Sequence, residues 1–193
     1  MPTFSQIDRC FSKPVIPVFS EVPCGNDALC KASCVILQGA SISELPKVLE
    51  SLEQPPLDHL RLLVHIDLIP GLENNDAGLE YLAGLGKIDG VVTVHQHLTR
   101  AAKRLGMLSI LRTFLSDSRA LERGLKVAGS AKPDVVECLP AAAAVKVAAD
   151  MKKSRIPHIA GGLCRTEADV QETIASGYLA VTSTSPKLWE INV

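Results

Sequence analysis

Residues 158–185 read HIAGGLCRTEADVQETIASGYLAVTSTS. A short apolar run, His158 to Ala160, ends in two glycines. Thr166 then opens a helical segment with a capping-box spacing, in which Asp169 stands where Glu or Gln is usual. Gly177 ends that segment as a C-cap, and a second apolar run, Leu179 to Thr182, leads into Thr182-Ser183-Thr184-Ser185. Strand, helix and strand in so few residues predict a βαβ crossover between two parallel strands.

The same alternation extends back to the start of the chain. Six further runs carry the strand signature: Val15 to Phe19, Cys34 to Leu37, Leu62 to Ile66, Gly90 to Val94, Leu108 to Leu111 and Val135 to Leu139. Most are apolar on both faces, as strands covered by helices outside and packed against one another inside should be. Between them, Leu45, Val48, Leu49 and Leu52 fall at i, i+3, i+4 and i+7, and Leu98, Ala101, Ala102 and Leu105 repeat the pattern. Leu121, Leu125 and Ala128 give a narrower stripe. Eight strands with intervening helices predict a compact TIM-type (β/α)8 barrel, here one domain spanning residues 1–193. The segment from Cys24 to Ser33 is too short for a full helix, and Ser185 to Val193 supplies only a closing turn, so the first and last helices are truncated.

Composition narrows the function. With 20 basic and 21 acidic residues the formal net charge is −1, so no global field draws the chain to nucleic acid and any such contact is a local patch. No apolar run approaches the 18 or so residues of a membrane span, and the first residues lack the pattern of a secretory signal. A cytoplasmic protein is expected. The six cysteines, Cys10, Cys24, Cys30, Cys34, Cys138 and Cys164, show no paired C-x-x-C spacing and read as free thiols without a structural metal.

In this fold, chemistry gathers where the strands end, and phosphate is often held by backbone N–H groups after the last two strands. Gly161 and Gly162 follow the seventh run; Thr182 and Ser183 close the eighth and add hydroxyl donors. Either segment alone reads equally as a turn or a helix cap; their occurrence in consecutive units at the expected place points to a phosphate. Polar residues cluster at the strand ends: His65 and Asp67 at the third, His95 at the fourth, Arg112 at the fifth and Glu137 at the sixth. Arg112 is the natural countercharge for phosphate, while His65, Asp67 and Glu137 suit ligand hydroxyls. Residues i and i+2 of an extended strand share a side, so His65 and Asp67 are expected to face the mouth together. An ion-pair network of Arg112 with the carboxylates is the alternative for the same residues.

No lysine stands at the end of a strand, which disfavours Schiff-base chemistry; Lys87 and Lys132 precede the fourth and sixth strands. A metal-assisted enzyme using His65, Asp67 and Glu137 on a small phosphorylated metabolite is the second reading, although no cofactor or metal is expected. Outside the mouth, Arg100, Lys103 and Arg104 lie at i, i+3 and i+4 on the fourth helix, and Arg119, Arg123 and Lys126 at i, i+4 and i+7 on the fifth. Both stripes are expected to point outward on adjacent helices as one basic face for RNA; a solvated surface, with Glu122 beside Lys126, is the alternative. Aromatic residues make up 4% of the chain, so no base-stacking platform is visible.

Several segments resemble the glycerol-3-phosphate-responsive antiterminator family. They are Val64-His-Ile-Asp-Leu-Ile-Pro-Gly-Leu72, Phe114-Leu-Ser-Asp-Ser118 with Ala120-Leu121, and Pro133-Asp-Val-Val-Glu-Cys-Leu-Pro140. Ile159-Ala-Gly-Gly-Leu163 and Ala180-Val-Thr-Ser-Thr184, ahead of Leu188-Trp189, complete the match, which runs from about Leu62 to Trp189. The resemblance implies a non-enzymatic barrel that binds glycerol 3-phosphate and acts on leader messenger RNA to prevent transcription termination of glycerol-utilisation genes. The chain departs from the family where a basic residue usually follows the first strand, here Val18-Phe19-Ser20, and where Ser-Thr and a basic residue follow the fourth, here Thr93-Val94-His95. Ala141 also replaces a glycine after Pro140. A related phosphorylated polyol is therefore a second expected ligand, and association into a homo-oligomer is left open.

Overall fold

A computed structural model describes residues 4–23 and 27–192. Cys24 lies outside the described residues, and the other five cysteines are free thiols. Eight strands, β1 (Val15–Phe19), β2 (Cys34–Leu37), β3 (Arg61–His65), β4 (Ile88–Thr93), β5 (Leu108–Phe114), β6 (Val135–Leu139), β7 (His158–Gly161) and β8 (Val181–Ser183), close in sequence order. Every pairing is parallel, including the closing ladder in which Val15 and Ile16 of β1 face Val181 and Thr182 of β8. The fold is a TIM-type (β/α)8 barrel.

Strand bounds differ from the sequence reading where polar residues end an apolar run. β5 extends to Phe114 because Arg112, Thr113 and Phe114 stay in register with Glu137, Cys138 and Leu139 of β6. β3 stops at His65, and Ile66–Leu68 form a short 3₁₀ helix. Alternation along each strand sends one set of side chains inward. Ile16, Val18, Cys34, Ile36, Leu63, Val92, Leu108, Ile110, Val135, Ile159 and Ala180 make up this interior cluster.

The outer layer follows from the helical stripes. Leu45, Val48, Leu49 and Leu52 are all buried along α2 (Leu45–Leu52), numbered after the N-terminal helix α1 (Phe4–Cys10). Then come α3 (Asp76–Gly84), α4 (Gln96–Arg104), α5 (Ser118–Ala131), α6 (Ala141–Lys146), α7 (Ala148–Met151), α8 (Glu167–Ala175) and α9 (Pro186–Trp189). The capping box on α8 forms as read, with Thr166 accepting from the Asp169 N–H and Asp169 accepting from the Thr166 N–H. Among its described residues the first crossover holds one 3₁₀ turn, Leu29–Lys31, and the last helix is a single turn.

The short α1 has no obvious stripe in sequence, yet Cys10 and Phe11 at its end are buried in the interior cluster and close the N-terminal end of the barrel. At the other terminus, Asn192 accepts from the Val15 N–H at 3.0 Å and donates to the Val15 carbonyl at 2.8 Å. Trp189 Nε1 donates to the Ser183 carbonyl at 2.8 Å. The Asn192 bonds tie the end of the chain to the start of β1, and the Trp189 bond fixes the end of β8, and with it one wall of the mouth.

Candidate functional site

The inward column of side chains is apolar through the barrel and turns polar at the C-terminal mouth. Arg112 on β5 and Glu137 on β6 are register partners. Arg112 Nε donates to Glu137 Oε2 at 2.7 Å, and Thr182 Oγ1 donates to Glu137 Oε1 at 2.7 Å. Glu137 is fully buried and the Arg112 side chain is 11% exposed, so both carboxylate oxygens are matched inside the barrel wall. Pairing in this way removes most of the penalty of burying either charge.

Gly161 makes that arrangement possible. A Cβ at this position would overlap Thr182 Oγ1, so the absence of a side chain on β7 gives Thr182 the room to reach across to Glu137. The sequence expectation placed Gly161 and Gly162 together in the phosphate loop. Gly162 borders the cavity above, whereas Gly161 packs against Thr182.

That cavity measures about 230 Å³ and is bordered by Arg112, Gly162, Leu163, Cys164, Ser183 and Thr184, among others. It lies below the roughly 300–1,000 Å³ of drug-sized ligand sites and so suits a small metabolite. The N–H groups of Leu163, Cys164 and Thr184 donate to no other group among the described residues. Gly162 and Leu163 have φ of +72° and +62°; the second is a left-handed conformation that a leucine rarely adopts, and the residue is 72% exposed. The loop therefore leaves unpaired backbone donors on residues that border the cavity, and an apolar residue exposed. Ser183 Oγ accepts from the Ser185 N–H at 3.1 Å and also borders the cavity. The Gly-Gly pair after the seventh run was the legible sign of this loop; the three free N–H groups were not, because they belong to residues of unrelated side-chain type.

On the opposite side of the mouth, the chain leaves the strand at Ile66, so His65 and Asp67 do not share an extended face. The Asp67 carboxylate accepts from Thr93 Oγ1 and from the Val94 N–H, both at 2.7 Å, and thereby fastens the β3 loop to the end of β4. His65 is 2% exposed, its Nδ1 has no hydrogen-bond partner and lies 3.9 Å from Asp67 Oδ2. Burial, and next the Arg112 guanidinium, push its pKa down to about 4 against weaker opposing pulls from Asp67 and Glu137, so the ring is neutral at neutral pH. His65, Asp67 and Glu137 do not gather into a ligand set: among the described residues no group of three or more His, Cys, Asp or Glu is placed to hold a metal ion. His95 is exposed at the start of α4.

The two basic stripes part company. Arg100, Arg104, Arg119, Arg123 and Lys126 are exposed, but Arg104 reaches Asp76 on α3 at 3.2 Å. Lys103 does not point outward as expected. Its ammonium pairs with Asp134 at 2.8 Å and donates to the Lys132 carbonyl at 2.8 Å, because its place on α4 faces the end of α5 rather than solvent.

The chain that builds this mouth matches a family model, the glycerol-3-phosphate responsive antiterminator, over residues 24–189. The chain belongs to that family. The glycerol uptake operon antiterminator regulatory protein from Listeria monocytogenes superposes with a TM-score of 0.79 at 28% identity, covering 92% of this chain and 95% of that one. An antiterminator-related protein from Thermotoga maritima gives 0.81 at 29% identity over 92% and 98%. An uncharacterized Escherichia coli protein, YgcP, is 29% identical over 128 residues, 66% of this chain and 67% of its own length. Among the described residues of this antiterminator-family chain, no helix is long and apolar enough to cross a membrane.

Proposed function

We propose that the chain is a cytoplasmic, non-enzymatic regulator that binds glycerol 3-phosphate, or a related phosphorylated polyol, and in response engages leader messenger RNA to prevent termination of glycerol-utilisation genes. What supports the ligand half is that Arg112 and three residues with unpaired N–H groups, Leu163, Cys164 and Thr184, border one small cavity. Phosphate sits on those donors and on Gly162, with Ser183 and Thr182 as hydroxyl neighbours and Gly161 keeping Thr182 in place. Glu137, fully buried with both carboxylate oxygens matched, acts on the ligand through Arg112; the polyol hydroxyls are assigned to the unmatched Nδ1 of His65, beside the loop that Asp67 holds.

The charge balance of this site bears on its selectivity. The Arg112 guanidinium is already shared with Glu137, and Val18 and Gln38 line the cavity near the end of β1, where the family resemblance implies a cation. Phosphate recognition here therefore leans on neutral N–H donors more than on net charge, which favours an anion whose hydroxyls add contacts over inorganic phosphate alone. For the RNA half, Arg100, Arg119, Arg123 and Lys126 offer an exposed basic surface on α4 and α5.

Calorimetric titration with glycerol 3-phosphate, with glycerol and inorganic phosphate as separate controls, tests the ligand half. Saturable binding stronger than both controls is expected. Saturation by another phosphorylated polyol alone moves the ligand within its class, and silence with every phosphorylated polyol removes the sensing role.

A further inference from the structure

A second concavity, of about 510 Å³, opens at the N-terminal end of the barrel, opposite the mouth. Its walls come from three consecutive segments: the end of α1 and the lead into β1, the turn before β2, and the lead into β3. Arg9, Lys13, Lys31, His59 and Arg61 line it, and among the described residues no carboxylate does. Its frame is tied together, since Ser33 Oγ donates to the Cys10 carbonyl at 2.7 Å and His59 Nε2 lies 3.3 Å from the Ala32 carbonyl. Arg61 is shared with Asp89 at 3.0 Å. Arg9 and Lys31 are exposed and form no ion pair among the described residues.

The whole chain carries a formal charge of −1, so this concentration of cations is not a by-product of a basic protein. A concave wall of one sign focuses potential more strongly than a convex helix surface does. The stripes on α4 and α5 are convex, and two of their six cations are already committed to Asp76 and Asp134. Among the described residues the one aromatic ring in the lining is His59, which is engaged with the Ala32 carbonyl, so the cleft offers charge to a phosphodiester backbone and little stacking surface to bases.

We infer that this cleft seats backbone phosphates of RNA, through Arg9 and Lys31 at its rim and Arg61 within, on the face of the barrel opposite the small-molecule site. The inference rests on the RNA-binding half of the proposed function. It makes the contact sequence-independent, so a mixed-sequence RNA is the appropriate probe.

The test is retention of a labelled random-sequence RNA by the full chain across a salt series, comparing wild type, Arg9→Glu with Lys31→Glu, and Arg119→Glu with Arg123→Glu. Loss of two phosphate contacts should weaken binding at low salt by roughly tenfold or more and make the slope of log affinity against log salt shallower by about 1.5. Circular dichroism checks the fold, and Arg9→Gln with Lys31→Gln replaces the reversal if the latter unfolds. Unchanged affinity and slope in the folded cleft variant overturn the inference; if the helix variant then loses affinity, the RNA reading survives on α4 and α5. Failure of wild type to retain RNA overturns the cleft and the RNA half together, while the calorimetric titration still decides the ligand half.

Discussion

The two ends of the barrel handle charge in opposite ways. At the mouth, the Arg112 side chain is 11% exposed, Glu137 is fully buried, and each is held by the other. At the N-terminal end, Arg9 and Lys31 stand in solvent beside a cleft that no carboxylate lines among the described residues. A neutralised wall with free N–H donors selects a small ligand by the placement of a few atoms. Unneutralised cations on a wide concavity attract any polyphosphate by field and discriminate little. The contrast teaches that the count of basic residues says less about a partner than whether the fold has already paired them.

The strongest way to break the contrast is to unpair the mouth. Glu137→Ala leaves the Arg112 guanidinium without its buried partner and should destabilise the chain by about 3–5 kcal/mol in urea titration. Arg9→Ala and Lys31→Ala at the other end should each stay within about 0.5 kcal/mol of wild type. Replacing the pair together, Arg112→Met with Glu137→Leu, should recover most of the stability while abolishing heat on titration with glycerol 3-phosphate. Equal losses at the two ends would mean that the pair is no more than a surface ion pair.

Protonation offers a second, smaller test. His65 near the mouth and His158 at the start of β7 are both buried with a ring nitrogen unpartnered, and burial is the leading cause that lowers each pKa to about 4. The unfolded chain binds protons at these rings near pH 6.5, above the folded values, so between about pH 6.5 and 4 unfolding takes up protons. Stability is then full above pH 6.5 and falls as pH drops through that window, by up to roughly 3 kcal/mol per ring. Midpoints of urea unfolding measured across the window should flatten in part for His65→Gln and in part for His158→Gln. Ligand affinity should follow His65 and ignore His158, which separates the mouth from the rest of the barrel.

Much of this was legible in the sequence wherever the information was local. β1, β2 and β6 begin and end at the residues that their apolar runs predict, and Thr166 with Asp169 forms the capping box that its spacing announces. Arg112 and Glu137 were legible as strand-end polar groups, and the structure makes them ion-pair partners while leaving Arg112 on the cavity wall. Pairings that depend on where a strand stops were not legible: Asp67 could be placed beside His65 only by assuming that β3 continued, and the 3₁₀ turn at Ile66 takes it to Thr93. The N-terminal cleft was invisible for a related reason. Its cations, at positions 9, 13, 31 and 61, follow no period and share no motif, and parallel strand starts bring them together.

The finest test concerns the loop after β7. Leu163 holds a left-handed φ of +62° and is 72% exposed, so little apolar burial offsets the backbone conformation. A left-handed residue other than glycine costs roughly 1–2 kcal/mol. Leu163→Gly should recover about 1 kcal/mol of this, less the greater freedom that glycine gives the unfolded chain. If the conformation exists to aim the N–H groups of Leu163 and Cys164 at a phosphate, the added freedom should also weaken glycerol 3-phosphate binding by a few fold in calorimetry. RNA retention, which depends on the far end of the barrel, should not move. A gain in stability with unchanged ligand affinity would leave the loop's strain without a role in binding and shift phosphate recognition onto Arg112 and Ser183.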